Sequence, residues 1–148
     1  MSDNQKSRLV GMNHIVLEVG DLDEALEFYE ALFEFELRGR TKTQVFIDMG
    51  DQFLALAEGR DQGPDGHRHF GLVVDERESV REKLEEMDVE ILDTRGLDFR
   101  DPWGNRVQVV LYKDIQFSKT DQVLKGMEMG DLEKTEDAIE QLKDKGLA

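Results

Sequence analysis

The chain has 148 residues, the length of one domain. It contains no cysteine, which excludes disulfides and thiolate metal sites and leaves nitrogen and oxygen ligands for any transition metal. Acidic residues outnumber basic ones 34 to 19, and the net charge of −15 disfavours both nucleic acid and anionic membrane surfaces as partners.

The first half of the chain predicts a strand, a helix and three more strands. A strand is expected over residues 14–19, and Asp21 with Glu24 forms an acidic capping box at the start of the helix. The helix shows one apolar stripe at Leu22, Ala25, Leu26, Tyr29, Leu32 and Phe33. Short extended runs broken by glycine follow at residues 37–41, 43–48 and 52–57.

The second half repeats this order. His69 begins the pattern H-x-x-L-x-V, which His14 begins 55 positions earlier. A weaker helix is expected from about residue 77 to 87, with Val80, Leu84 and Met87 facing inward. Strands follow at residues 89–94, 97–100 and 106–112, and the turn between the last two, residues 101–105, contains Asp-Pro followed by Gly.

The repeat predicts an α+β fold. Two β-α-β-β-β modules, at about residues 10–58 and 67–113, are expected to form a curved, cup-like mixed sheet. They make one domain over residues 1–113, and a glycine- and aspartate-rich segment, residues 59–66, joins them. Two copies are too few for a solenoid, because stacked repeats need at least about three units.

Residues 114–148 are predicted to be a C-terminal helical extension. A short helix is expected around Val123, Leu124 and Met127. A second helix is expected to start at Asp131, bury Leu132, Ile139 and Leu142, and stop at Gly146. The extension is interpreted as a brace on the domain or on a partner subunit. The polar N-terminus has no signal-peptide core and no apolar run of about 18 residues occurs, so a cytoplasmic protein is expected.

Two histidines and an amide are the candidate metal ligands. His14 and His69 occupy equivalent positions of the repeat, and equivalent positions converge at the axis between two modules. His67, two residues before His69, would share its face in an extended strand and is interpreted as a rim residue. Gln108 is a polar residue inside the apolar run 107–111, and a buried amide needs a partner, since an unpaired one costs about 1–3 kcal/mol.

Two segments resemble the vicinal-oxygen-chelate superfamily, which includes glyoxalase I, extradiol dioxygenases and the bleomycin- and fosfomycin-resistance proteins. They are Gly11-Met12-Asn13-His14-Ile-Val-Leu-Glu-Val-Gly-Asp-Leu22, with Phe28-Tyr29 behind it, and Asp101-Pro-Trp-Gly-Asn-Arg-Val-Gln108. The resemblance implies a divalent metal (Zn, Mn, Fe or Ni) in an open cup, where it polarises paired substrate oxygens. His14 and His69 match the two histidine ligands, and Gln108 stands where the family usually has glutamate. A second glyoxalase acid position falls on Ala55.

The resemblance implies a metal-dependent lyase, isomerase, transferase or dioxygenase acting on a small oxygenated metabolite or xenobiotic. Catalytic residues are not assigned, and His67, Arg95, Arg106 and Tyr112 are candidate substrate contacts. A homodimer is expected, because modules of the family commonly complete their cups by pairing. The alternative is a metal-free protein that sequesters a small molecule, as bleomycin-resistance proteins do. A lesser alternative is a fosfomycin thiol transferase, which residues 46–56 resemble, although Val16 stands where those enzymes carry threonine.

Overall fold

In a computed structural model that describes residues 6–148, the chain folds into two β-α-β-β-β modules followed by a helical extension. The predicted α+β architecture of mixed sheets is thereby confirmed. Residues 1–5, which belong to the predicted domain and to the polar N-terminus, lie outside the described residues. The first module contains β1 (His14–Val19), α1 (Leu22–Leu32), β2 (Leu37–Arg40), β3 (Gln44–Asp48) and β4 (Phe53–Glu58). The second contains β5 (Phe70–Val74), α2 (Glu78–Glu86), β6 (Ile91–Leu92), β7 (Leu97–Arg100) and β8 (Arg106–Leu111).

The two sheets have the same topology. Their strand orders are β1-β4-β3-β2 and β5-β8-β7-β6, and in each sheet the first strand runs parallel to the last strand of its module. The registers correspond as well: Val16 lies opposite Ala55 in the first sheet, and Gly71 lies opposite Gln108 in the second. Position 55 is therefore the structural equivalent of position 108.

One apolar core serves both modules. The Asp21 side chain accepts a hydrogen bond from the Glu24 backbone N–H (2.8 Å), so α1 begins as predicted. The stripe of α1 packs with α2 and with the inner faces of both sheets, and this shared burial fixes the modules to one another. The fully buried members include Val19, Ala25, Leu56, Leu84, Leu97, Phe99, Val107 and Val109.

The second module departs from the sequence prediction at β6. The strand expected over residues 89–94 is reduced to Ile91–Leu92. The residues between α2 and β6 are bonded to the end of the helix and are not part of the strand. The backbone N–H of Val89 donates to the Leu84 carbonyl, and Asp88 adopts a positive φ of 56°. The strand also ends early, because the Thr94 hydroxyl turns back to donate to Asp98.

The C-terminal extension contains α3 (Asp121–Gly126), as predicted, and α4 (Glu136–Asp144). The predicted start of the second helix at Asp131 is wrong. Thr135 caps the helix instead, its side chain accepting from the Ala138 backbone N–H, and Leu132 lies outside it. No helix within residues 6–148 is long and apolar enough to cross a membrane.

The extension braces its own chain. Lys119 donates to the Met49 carbonyl (2.7 Å) and to the Asp51 carboxylate, which ties the extension to the β3–β4 turn of the first module. Lys134 donates to the carbonyls of Tyr112 and Ile115, at the end of the second module. The extension therefore connects both modules on one side of the molecule.

Candidate metal centre

Each sheet has a buried face and a second face that carries the candidate ligands. In β1, Leu17 and Val19 are buried, whereas His14, Val16 and Glu18 are exposed. In β8, Val107 and Val109 are buried and Gln108 alternates with them. We call the face away from the core the open face. Strand alternation thus puts His14 and Gln108 on the open faces of their sheets.

His69 lies one residue before β5, at the level of Arg106 in the neighbouring strand. Its Nδ1 lies 2.7 Å from the backbone carbonyl oxygen of His67. A carbonyl oxygen only accepts hydrogen bonds, so Nδ1 carries the proton and Nε2 keeps a free lone pair. The prediction that His67 shares a strand face with His69 is wrong, because His67 lies in a bend before the strand. What it supplies to His69 is a carbonyl oxygen.

His14 is oriented in the same way. Its Nδ1 lies 2.8 Å from the side-chain oxygen of Asn13, which again leaves Nε2 free. The imidazole stacks on Phe53, with ring centroids 4.7 Å apart, and the guanidinium of Arg38 covers that ring at 4.8 Å. Arg38 in turn is anchored by Asp48 (2.8 Å). The stack fixes the plane of the His14 ring.

Gln108 is half-buried in the middle of the second sheet, between Gly71 of β5 and Asp98 of β7. Its side-chain nitrogen lies beside Gly96, so close that a Cβ on that glycine would be 3.0 Å away. The equivalent position in the first module is Ala55, which is buried and has no ligating atom. The donor set on offer is therefore two imidazole nitrogens and one neutral amide.

The two histidines do not meet within one chain. Asn105 donates to the carbonyl of Glu18 (2.9 Å), so the start of β8, and His69 beside it, lies at the Glu18 end of β1. Along β1, His14 lies four residues before Glu18, which corresponds to about 13 Å at the rise of an extended strand. Within residues 6–148, no group of three or more histidine, aspartate or glutamate side chains is placed to hold a metal ion.

A cleft of about 430 Å³ lies between β1 and β5. Val16, Glu18 and His69 line it, together with the linker side chains of Arg60 and Arg68, whereas His14 is not among its lining residues. Both strands are edge strands of their sheets, and the exposed fractions of Val16 and Val73 are 48% and 36%. Among the described residues, no further strand pairs with the outer edge of β1 or of β5.

None of the four predicted substrate contacts, His67 included, lines this cleft. Arg106 is bound to the Asp98 carboxylate (2.9 Å) and to the Gly66 carbonyl (2.7 Å). Tyr112 follows β8 in a 3₁₀ turn and is buried, with its ring 3.8 Å below the Lys134 ammonium. Arg95 is exposed in the loop before β7.

Sequence reasoning missed a buried polar network that joins the modules. The Tyr29 hydroxyl of α1 donates to Asp101 (2.9 Å), and the same carboxylate accepts from the Asn105 side chain (2.8 Å). Arg60 of the linker donates to Asn105 and to Asp65. The available signal was Tyr29, whose hydroxyl needs a partner if the stripe of α1 is buried. Burial, and then the nearby charge of Asp101, hold the pKa of Tyr29 well above its usual value of 10.0.

Comparison with known proteins assigns the chain to one family. The sequence profile of the Glyoxalase/Bleomycin resistance protein/Dioxygenase superfamily matches residues 11–109. The chain therefore belongs to this superfamily, and the predicted resemblance is confirmed.

The similar proteins include several fosfomycin-resistance proteins. The chain is 31% identical over 96 residues to the metallothiol transferase FosB of Lysinibacillus sphaericus, covering 61% of this chain and 68% of the relative. It is 26% identical over 113 residues to the glutathione transferase FosA of Serratia marcescens, covering 68% and 80%. The crystal structure of FosX from Listeria monocytogenes with Mn(II) and sulfate matches with a TM-score of 0.61 at 18% identity, covering 81% of this chain and 99% of that chain.

Proposed function

We propose that the protein is a divalent-metal-dependent enzyme acting on a small oxygen-bearing molecule, with His14, His69 and Gln108 as the metal ligands. The observation that carries this proposal is the orientation of the two histidines. In each, Nδ1 lies within hydrogen-bonding distance of an oxygen, that of the Asn13 side chain or of the His67 carbonyl, and the neutral tautomer that donates from Nδ1 has its lone pair on Nε2. Metal-bound histidines almost always donate their other ring N–H in this way.

We propose further that two copies of the chain complete each site. Within one chain His14 and His69 lie at opposite ends of β1, but both stand on open edges of their sheets. A homodimer that sets β1 of one copy beside β5 of the other brings His14 of the first copy to His69 and Gln108 of the second. Pairing also covers Val16 and Val73, whose exposure on an edge strand is unfavourable.

The ligand set favours addition or transfer over a proton shuttle. A bound dication supplies Lewis-acid polarisation of a substrate oxygen, and two imidazoles with one amide leave positions open to that substrate. Ala55 provides no carboxylate to act as a base, which speaks against a glyoxalase-type isomerisation. The names of the relatives, a metallothiol transferase and a glutathione transferase, support thiol transfer as the reaction class.

Metal binding tests this proposal. Protein purified without chelator or nickel-affinity chromatography is dialysed against Mn(II), Zn(II), Fe(II), Co(II) and Ni(II), and bound metal is measured. We expect stoichiometric binding of at least one of them, and loss of binding in His69→Ala. The matched control is His67→Ala, which keeps the backbone carbonyl that orients His69 and should bind like the wild type. A wild-type chain that binds none of the five ions refutes the proposal.

The reaction class is tested on the metal-loaded protein. Fosfomycin is incubated with glutathione or cysteine, and adduct formation is followed by mass spectrometry. An adduct that depends on the metal and disappears in His69→Ala supports thiol transfer. The absence of any adduct, with metal bound, leaves a metal-dependent enzyme of another reaction class.

A second candidate function is metal-free sequestration of a small molecule. The neutral amide at position 108 favours it, because replacing a carboxylate by an amide removes a charge that a hard dication would use. The net charge of −15 suits a cationic ligand. Calorimetric titration of metal-free protein with cationic drugs such as bleomycin distinguishes the candidates, since this function requires tight binding without metal.

A further inference from the structure

Asp98 is a buried carboxylate on the open face of the second sheet, and the proposed metal site does not use it. It lies on β7 directly opposite Gln108 and is only 1% exposed. Residues directly opposite each other in an antiparallel pair share one face, with Cβ atoms about 4.5–5.5 Å apart. Burial of a carboxylate is costly unless its oxygens accept hydrogen bonds. The hydrogen-bond partners of Asp98 therefore indicate its role.

Arg106 and Thr94 bond to the two oxygens of Asp98. The Oδ2 atom accepts from Nε and Nη2 of Arg106, at 3.2 and 2.9 Å, and Arg106 is itself fixed by the Gly66 carbonyl. From residues 6–148, the Oδ1 atom accepts one hydrogen bond, from the Thr94 hydroxyl at 2.9 Å. A carboxylate oxygen can accept two hydrogen bonds, so Oδ1 keeps capacity for one more donor.

The amide of Gln108 is the nearby group that can supply this donor. A Cβ on Gly96 would lie 3.0 Å from Gln108 Nε2 and 3.6 Å from Asp98 Oδ1. Both atoms therefore lie close to the backbone of Gly96, which has no side chain. An amide whose nitrogen donates to Asp98 has its oxygen at the opposite end of the group. An oxygen is the only atom of a glutamine side chain that ligates a hard metal ion.

We infer that Asp98 is a positioning residue for Gln108. It holds the amide N–H, and so presents Oε1 as the third ligand. Its charge also opposes a second carboxylate at position 108, since like charges directly opposite one another in a sheet are destabilising. The role in metal binding rests on the proposed function, whereas the pairing of Asp98 with an amide does not.

A double-mutant cycle in the full-length chain tests this inference. The wild type, Asp98→Asn, Gln108→Glu and the double variant are titrated with Mn(II), and their free energies of unfolding in urea are measured without metal. Loss of a partner that orients a ligand weakens metal binding about 10–100-fold, so we expect Asp98→Asn to fall in this range. Gln108→Glu should leave the affinity within about threefold of the wild type, because repulsion by Asp98 offsets the new charge. In the Asp98→Asn background the same change should tighten binding about tenfold or more.

Stability separates this inference from the proposed function. Without metal, Gln108→Glu should lower the free energy of unfolding in the wild type and not in the Asp98→Asn background. Equal effects of Gln108→Glu in both backgrounds, on affinity and on stability, overturn the inference. If the wild type binds none of Mn(II), Zn(II), Fe(II), Co(II) and Ni(II), the metal site is refuted, and the stability cycle alone decides whether Asp98 and Gln108 are coupled. Asp23→Asn, which removes an exposed carboxylate paired with Arg40, controls for net charge.

If Asp98→Asn does not fold, a second variant tests the position of the Gln108 amide. Gly96→Ala retains the ion pair of Asp98 with Arg106 but pushes on Gln108 Nε2 from 3.0 Å. We expect Mn(II) binding to weaken severalfold, and the matched control Gly126→Ala, whose Cβ meets nothing within 4 Å, to bind like the wild type. Unchanged affinity in Gly96→Ala contradicts the proposed position of the amide.

Discussion

Replacement of Tyr29 by phenylalanine tests the buried network that joins the two modules. The Tyr29 side chain is 1% exposed, and its hydroxyl donates to Asp101 across 72 positions of sequence. Hydrogen bonds to charged groups contribute about 1.5–3 kcal/mol. Asp101 keeps its bonds from the Asn105 side chain and from the backbone N–H groups of Trp103 and Asn105. The carboxylate is thus not left unpaired, and we expect a loss near the lower end, about 1.5–2 kcal/mol.

Urea unfolding measures this loss. At an m-value of about 1–3 kcal/mol/M, the midpoint of Tyr29→Phe should fall by roughly 0.5–2 M without a change in slope. The matched control is Tyr112→Phe, whose hydroxyl only accepts a long bond (3.3 Å) from the Lys119 backbone N–H and should matter less. A Tyr29→Phe free energy within about 0.5 kcal/mol of the wild type, the range of ordinary surface substitutions, refutes the assigned role of the network.

The pH dependence of this loss has a definite sign. The pKa of Tyr29 in the folded protein lies well above 10.0, so the folded state holds the phenolic proton more tightly than the unfolded chain does. The stabilisation is complete below the unfolded pKa and is lost as the pH rises beyond it. The difference between Tyr29→Phe and the wild type should therefore be constant from neutral pH to about pH 9 and shrink above pH 10.

Three further predictions concern the extension. Thr135→Ala removes the cap of α4 and should cost about 1 kcal/mol in urea unfolding, whereas an unchanged midpoint would contradict the revised start of that helix. Gly50→Ala should destabilise more than this cap variant, since Gly50 has a φ of +82° and a new Cβ would lie 2.5 Å from the Met127 sulfur. The hydrogen bond from Lys119 lowers the pKa of Asp51 below 3.8, so this pair stabilises above that pH and loses its contribution as the pH falls further. Lys119→Met should remove that acid dependence, and a retained dependence would argue against the pair.

The order of elements and the duplication could be predicted because they depend on local patterns. The cap at Asp21, the stripe of α1 and the alternation of β8 each follow from residues close in sequence. The same locality placed His14 and His69 at equivalent positions of the repeat, and the strand registers add the equivalence of positions 55 and 108.

What the sequence could not provide were contacts over long distances. The relation of one module to the other depends on bonds such as Tyr29 to Asp101 and Asn105 to Glu18, which no local pattern contains. Convergence of His14 and His69 was therefore expected within one chain, whereas the bond from Asn105 to Glu18 sets the start of β8, beside His69, at the end of β1 away from His14. Arg106 was likewise interpreted as a substrate contact because its partner, Asp98, becomes visible only when β7 and β8 are paired.

Complementation between two inactive variants tests the shared metal site most directly. His14→Ala and His69→Ala are each purified, unfolded together, refolded as a mixture and titrated with Mn(II). If each site takes His14 from one copy and His69 from the other, neither variant binds alone, but every mixed dimer regains one intact site. The account therefore predicts that mixing restores Mn(II) binding. Contrary results would be a mixture as inert as its separate components, when the wild type refolds and binds, or single variants that bind like the wild type.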